Sequence, residues 1–102
     1  MRFGLTENSY TLIINSLTLF PEIETVIIYG SRSMGNHKPG SDIDLALKGE
    51  KIDASIVKKI STILNEELPI PYYVDVLNYA AISNSDLKNH IDEKGRIFFF
   101  RI

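Results

Sequence analysis

The sequence predicts a single α/β (α+β) domain over residues 1–102, and three observations carry this prediction. Helical and strand-like patterns alternate along the chain in the order α-β-turn-β-α-β-α-β. A length of 102 residues suits one domain and not two. Hydrophobic residues make up 44% of the chain, which is enough to build a core at this size.

An amphipathic helix and a buried strand open the predicted order. Apolar residues at i, i+3, i+4 and i+7 spacing predict a helix from about Thr6 to Leu19, and Pro21 ends it. Its apolar stripe comprises Tyr10, Ile13, Ile14 and Leu17. The next stretch, Glu24–Tyr29, is rich in β-branched residues and apolar on both faces, so we expect a strand in the middle of its sheet.

Glycine and proline mark the turn that follows. Gly30 breaks the first strand, and segment 31–35 is predicted to form one helical turn. Residues 36–41 contain a proline and a glycine and therefore form a loop. A second strand is expected over Asp42–Leu47.

A second helix and a third strand come next. Asp53 is a good N-cap, and the helix is expected to run to about Leu68, where two prolines stop it. Its apolar stripe comprises Ile56, Ile60, Ile63 and Leu64. The third strand is expected over Tyr72–Leu77.

A last helix and a short strand complete the prediction. Either Ser83 or Ser85 is expected to cap the helix, and Gly95 suits the position just after its end. The segment Arg96–Ile102 is predicted to be the final strand.

Composition excludes several classes of protein. A formal charge of −2 gives no broad attraction to nucleic acid or to an anionic membrane, so no direct nucleic-acid binding is expected. The absence of cysteine excludes disulfides and thiolate metal sites, and it fits a reducing cytoplasm. No apolar run approaches the ~20 residues of a membrane span, and the first residues lack a signal-peptide pattern. We therefore expect a cytoplasmic protein without membrane contact.

Three aspartates on predicted strands indicate a metal site. Asp42 and Asp44 are two residues apart on one strand, so their carboxylates point to the same face and repel each other. A divalent cation would relieve that repulsion, and Mg²⁺ prefers such oxygen ligands together with phosphate oxygens and water. Asp75 lies between two valines, where an unpaired carboxylate is costly. If its strand lies beside the Asp42–Asp44 strand, the three acids can hold two metals about 3.5–4 Å apart.

The turn at Gly30 and Ser31 can cradle a phosphate. Glycine lets the backbone approach an anion closely, and the start of a helical turn offers free N–H groups. The Ser31 hydroxyl adds a donor, while Arg32 and Lys38 could offset the charge of a triphosphate. Turn and acids together predict a metal-dependent enzyme that handles a nucleoside triphosphate.

These residues resemble the signature of a known superfamily. Gly30-Ser31-Arg32, ten residues between Ser31 and Asp42, and Ser41-Asp42-Ile43-Asp44-Leu45 look like the polymerase-β-like nucleotidyltransferases. The short length is similar to their minimal nucleotidyltransferase (MNT) branch, and the resemblance covers nearly the whole chain. Met34 departs from the small or basic residue often found at that position in the family.

The resemblance implies a fold, a reaction and a partner. The fold is a mixed sheet with helices mainly on one face. The reaction is two-metal transfer of AMP from ATP, with two Mg²⁺ ions, or Mn²⁺ in their place. The partner is a HEPN-domain toxin, bound in a hetero-oligomer, whose tyrosine hydroxyl accepts AMP from the MNT antitoxin.

The resemblance also assigns roles to residues of this chain. Asp42, Asp44 and Asp75 are the catalytic and metal-binding residues, and Asp75 serves the acceptor side. The positions assigned to nucleotide binding are Gly30, Ser31, Arg32 and Ser41.

Two other functions stay open at this point. The chain could neutralise its toxin by binding and occlusion alone, although the presence of all three acids argues against an inactive fold. It could also act on a small molecule such as an aminoglycoside, although such enzymes usually carry an additional helical domain for the acceptor.

The remaining polar and aromatic candidates have plainer interpretations. His37 is expected in an exposed loop, and His90 is expected to be a surface or internally satisfied residue. The aromatic run Phe98–Phe100 predicts either alternate packing into the core or an exposed strand that binds a partner.

Overall fold

A four-stranded mixed sheet organises the chain in the computed structural model, which describes residues 2–101. The strands are β1 (Thr25–Tyr29), β2 (Ile43–Lys48), β3 (Val74–Asn78) and β4 (Arg96–Phe100). Their order is β3-β2-β1-β4, with β1 antiparallel to both β2 and β4 and with β2 parallel to β3. The strand predicted to be central, β1, is therefore an inner strand.

Four α-helices accompany the strands within residues 2–101, and capping side chains begin three of them. They are α1 (Glu7–Thr18), α2 (Ser31–Met34), α3 (Ala54–Thr62) and α4 (Ser85–Lys94). The Thr6 side chain accepts a hydrogen bond from the Ser9 N–H at the start of α1. The predicted cap Asp53 does the same for the Ile56 N–H at the start of α3. Helix α3 forms the crossover that parallel strands such as β2 and β3 require.

The larger core lies on the sheet face that α1 and α3 cover. The predicted stripes are confirmed there, because Ile13 and Leu17 of α1 and Ile60 of α3 are buried. The smaller cluster lies on the opposite face, where Ile91 of α4 packs with Ile27 of β1. The mixed sheet with helices mainly on one face is thus confirmed.

The predicted second helix changes character before its end. It is α-helical only to Thr62, and residues Ile63–Glu67 form a π-helical turn. The Leu68 N–H accordingly donates to the Ile63 carbonyl at 3.1 Å. In this wider turn the Asn65 side chain donates one hydrogen bond to the Val74 carbonyl and accepts one from the Val74 N–H, which periodicity alone could not reveal.

The start of α4 differs from the prediction by one residue. Asn84 is the N-cap, and its side chain accepts a hydrogen bond from the Leu87 N–H. The prediction that Ser83 or Ser85 caps this helix is therefore wrong. Asparagine caps as well as serine because its side-chain oxygen reaches the same N–H group.

The strand boundaries also shift slightly. Strand β2 begins at Ile43, so Asp42 lies just before the ladder. Strand β3 spans Val74–Asn78 instead of Tyr72–Leu77. Strand β4 ends at Phe100, and Ile102 lies outside the described residues. None of the helices within residues 2–101 combines the length and apolar character needed to span a bilayer.

Candidate active site

Three polar side chains form one row across the sheet. Asp44 of β2 is the register partner of Tyr29 on β1 and of Asp75 on β3. Side chains in register on neighbouring strands project from the same face. The row therefore lies on the face opposite the larger core, next to the smaller cluster under α4.

Asp42, two residues before Asp44, is not part of this row. It is exposed and precedes the first residue of β2. Within residues 2–101, no group of three or more His, Cys, Asp or Glu side chains lies close enough to hold a metal ion. The structure thus brings Asp44 and Asp75 into register and does not gather all three carboxylates into one ready-made cage, so metal binding by Asp42, Asp44 and Asp75 stays a prediction.

Like charges dominate the surroundings of Asp44. Burial raises the pKa of the Asp44 carboxyl, and the negative charges of Asp75 and Asp42 raise it further. His90 and Arg32 oppose these effects. The paired carboxylates of Asp44 and Asp75 offer hard oxygen donors of the kind that a divalent cation prefers, and a bound cation would favour their ionised form.

Gly30 fits closely against Asp44. Its backbone has φ +78° and ψ −152°, a conformation that residues other than glycine rarely adopt. A Cβ atom at this position would lie 2.6 Å from the Asp44 Oδ2 atom. Glycine is therefore required twice, for the backbone angle and for the space beside the carboxylate.

The helical turn predicted after Gly30 is present as α2. Ser31 is its half-buried first residue. The Ser33 hydroxyl donates to the Gly30 carbonyl at 2.9 Å, and the Met34 N–H donates to the same carbonyl at 3.3 Å. The turn predicted for phosphate binding thus starts beside Asp44, and nucleotide contacts of Gly30 and Ser31 stay predictions.

Arg32 forms a buried clamp under the site. Its side chain is only 2% exposed, and its guanidinium donates to the Ser41 carbonyl at 2.8 and 3.2 Å and to the Phe3 carbonyl at 2.9 Å. The guanidinium also lies over the Tyr72 ring, 4.8 Å from its centroid. Arg32 therefore ties the loop before Asp42 to two other segments, which sequence reasoning did not foresee, and its predicted contact with nucleotide stays a prediction.

Ser41 is held in that loop from both sides. Its carbonyl accepts the two bonds from Arg32, and its hydroxyl accepts from the Lys38 N–H at 2.8 Å. Lys38 itself is exposed. The nucleotide-binding role assigned to Ser41 is not tested by these contacts, which instead show how the approach to Asp42 is fixed.

Sequence reasoning missed Tyr29 as a member of the site. It is buried at 6% exposure beside Asp44, and its pKa is raised by burial and by the charges of Asp44 and Asp75. Its phenol therefore stays protonated and can act as a hydrogen-bond donor. The only sequence signal was its place immediately before Gly30, and that signal becomes informative only once the register with Asp44 is known.

Sequence reasoning also left His90 without a role. The residue is half-buried on α4, and its Nε2 atom accepts a hydrogen bond from the Gly30 N–H at 3.1 Å. Of the two expectations for His90, the internally satisfied residue is therefore right. The partner lies 60 positions away in the sequence, so no local pattern could have identified it.

A groove opens beside Asp75. It has a volume of about 510 Å³ and lies between β3 and α3. Asp75, Tyr73 and Ser61 are among its lining residues. Of the three aspartates predicted for the site, Asp75 is the one that lines this groove.

The sequence places the chain in a family. Residues 12–101 match the profile of the polymerase beta nucleotidyltransferases. The chain belongs to this family. The match covers the turn at Gly30 and the three predicted site aspartates, Asp42, Asp44 and Asp75, of this polymerase beta nucleotidyltransferase domain. A search of curated proteins finds no match.

Solved structures share the polymerase beta nucleotidyltransferase fold of this chain. A toxin–antitoxin crystal structure with AMP-PNP superimposes with a TM-score of 0.71 at 20% identity, over 95% of this chain and 75% of that one. The complex of tri-AMPylated Shewanella oneidensis HEPN toxin with MNT antitoxin gives 0.69 at 18% identity, over 95% and 74%. The MntA–HepT toxin–antitoxin structure gives 0.67 at 17% identity, over 94% and 74%.

Proposed function

We propose that this chain is an MNT antitoxin that transfers AMP from ATP to a tyrosine hydroxyl of a HEPN-domain toxin. The observation that carries the proposal is the register of Asp44 with Asp75, beside the Gly30 turn, in a chain of the polymerase beta nucleotidyltransferase family. Similar folds occur in a complex with AMP-PNP and in a complex with a tri-AMPylated toxin, which supports the choice of nucleotide and acceptor.

In this proposal the donor nucleotide binds beside the turn and the carboxylates. Gly30 lets the turn lie directly against the Asp44 carboxylate because it has no side chain. The Ser31 hydroxyl donates to a phosphate oxygen, and Asp42 and Asp44 would hold the divalent cation. When bound, Mg²⁺ ions neutralise the charge of the triphosphate and of the carboxylates.

Asp75 acts on the acceptor side. The tyrosine oxygen attacks the α-phosphorus of ATP, the bond from that phosphorus to the bridging oxygen breaks, and pyrophosphate leaves. Asp75 takes the proton of the tyrosine hydroxyl, for which it lies at the edge of the open groove. Arg32 fixes the loop before Asp42 through the Ser41 carbonyl, so this residue contributes by holding a carboxylate in place.

The proposal is tested by incubating the chain with its HEPN partner, Mg²⁺ and labelled ATP. We expect the mass of the partner to increase in steps of one AMP, on a tyrosine. Asp44→Asn and Asp75→Asn should lose transfer while still binding the partner. Glu93→Gln is the matched control, because Glu93 is an exposed acid on α4 outside the row.

Two outcomes would replace the proposal. If the toxin gains no mass and all variants still protect against it, neutralisation occurs by occlusion. If AMP transfer requires a small hydroxylated molecule and not the protein partner, the acceptor class is wrong while nucleotidyl transfer stands.

A further inference from the structure

Helix α4 reaches the glycine turn through one histidine. The Gly30 N–H donates to His90 Nε2 at 3.1 Å, and the imidazole packs edge-on against the Tyr29 ring at a centroid distance of 6.2 Å. Next to His90, Ile91 is buried at 3% exposure against Ile27. The packing of α4 on the sheet therefore fixes the position of the imidazole, which is not a side chain that rotates freely at the surface.

The bond specifies the protonation of the imidazole. An Nε2 atom that accepts from an N–H group carries no proton, so the proton of neutral His90 is on Nδ1. The contact therefore predicts which imidazole nitrogen carries the proton, and NMR can test this.

Gly30 is held from three sides, and His90 supplies the only one of these contacts that comes from another helix. Its carbonyl accepts from Ser33 and Met34 within α2, which fixes the peptide plane after Gly30. Its Cα lies against the Asp44 carboxylate. The His90 bond fixes the peptide plane before Gly30, which matters because glycine has more backbone freedom than other residues.

We propose that His90 is a positioning residue for nucleotidyl transfer, which holds the Gly30 turn in the conformation that lies against Asp44. This inference rests on the proposed function, since it assigns His90 to the donor side of the same site. His90 acts through Gly30 and has no direct role in the bond that forms or the bond that breaks.

The kinetic test compares two replacements in the full chain with its HEPN partner. His90→Phe keeps a ring beside Tyr29 but removes the acceptor, and we expect the KM for ATP to rise about tenfold with a smaller change in kcat. His90→Gln restores an acceptor and should recover most of the wild-type KM. The control Asn89→Ala alters an exposed neighbour on α4 and should leave both constants unchanged.

A spectroscopic test is independent of activity. In the ¹⁵N spectrum of the wild-type chain near pH 8 without nucleotide, His90 should show protonated Nδ1 and unprotonated Nε2, and the Gly30 amide signal should shift in His90→Phe. A protonated Nε2 in the neutral imidazole would overturn the proposal, and so would His90→Phe with an unchanged KM for ATP. If His90→Phe does not fold, the wild-type spectrum and the His90→Gln kinetics decide. If the wild-type chain transfers no AMP, the proposed function fails, and the spectrum still tests the contact.

Discussion

Asp44 and Asp75 are register partners on two parallel strands, so two carboxylates stand side by side on one face of the sheet. A sheet built for stability alone would not place like charges directly opposite each other, because such pairs are destabilising. A cation bound between the two carboxylates would remove this repulsion. Without a cation, the repulsion should make the unfolding free energy depend on pH.

We predict that ionisation of Asp44 lowers the stability of the metal-free chain. The pKa of Asp44 is raised by burial and then by Asp75 and Asp42, so the folded state binds a proton more tightly than the unfolded state. The unfolding free energy should therefore fall as the pH rises from the ordinary carboxyl pKa of 3.8 through the raised value. Asp44→Asn removes this contribution, so its advantage over wild type should grow across that window in urea unfolding.

Divalent cations should offset the loss of stability that ionised Asp44 causes, and they should do so in wild type only. Mg²⁺ added at neutral pH should raise the unfolding free energy of wild type, because it binds the folded state. Asp44→Asn should show little response to Mg²⁺. An advantage of Asp44→Asn that stays constant with pH would show that the charge of Asp44 is not the cause.

A second prediction concerns the absence of a side chain at Gly30. Gly30→Ala should lower stability by about 1–3 kcal/mol and reduce AMP transfer at least tenfold, because its Cβ would displace the Asp44 carboxylate. Gly35→Ala is the control for a positive φ without crowding, since Gly35 has φ +78° and ψ +10° in the left-handed helical region and nothing within 4 Å of the added carbon. It should lose about 1–2 kcal/mol and retain transfer per folded molecule. Equal loss of activity in both variants would contradict the role of Gly30 beside Asp44.

Local sequence patterns predicted much of this fold, but they could not predict contacts between segments that are distant in the sequence. The cap at Asp53 and the break at Gly30 follow from the chemistry of single residues and their neighbours. The row that joins Tyr29 to the carboxylates depends on the register of β1 with β2, which no local pattern specifies. His90 reaches the site only because α4 packs on the sheet face that carries the row.

Arg32 shows how a motif can be recognised while some of its contacts are not foreseen. A cation after a phosphate-binding turn suggests a contact with the triphosphate. Burial at 2% exposure and three hydrogen bonds to main-chain carbonyls show that the side chain also holds the protein together. Its acceptors at Phe3 and Ser41 lie in segments without regular structure, which sequence patterns describe least well.

A third prediction follows for the geometry of this clamp. Arg32→Lys retains the positive charge but loses the planar fork that reaches two carbonyls at once. We expect a loss of about 2 kcal/mol or more in urea unfolding, together with weaker Mg²⁺-ATP binding because the loop before Asp42 is released. Arg2→Lys is the control, since Arg2 is exposed and its guanidinium contacts the Tyr10 ring at 4.6 Å from the centroid, and it should stay within about 1 kcal/mol of wild type. A stable Arg32→Lys chain with weaker nucleotide binding would indicate direct contact with the nucleotide instead.

The last prediction concerns how Asp75 is held. The Asn65 side chain accepts from the Val74 N–H at 2.7 Å and donates to the Val74 carbonyl at 2.8 Å, so it pairs with the start of β3 as a further strand would. Asn65→Ala leaves both backbone groups of a buried residue without these partners, and we expect a loss of about 1–3 kcal/mol in urea unfolding. AMP transfer should fall as well, because Asp75 follows Val74 directly and depends on the same backbone. The control Asn15→Ala changes an exposed residue of α1 and should keep full activity. Normal transfer by folded Asn65→Ala would mean that pairing with β2 alone suffices to place Asp75.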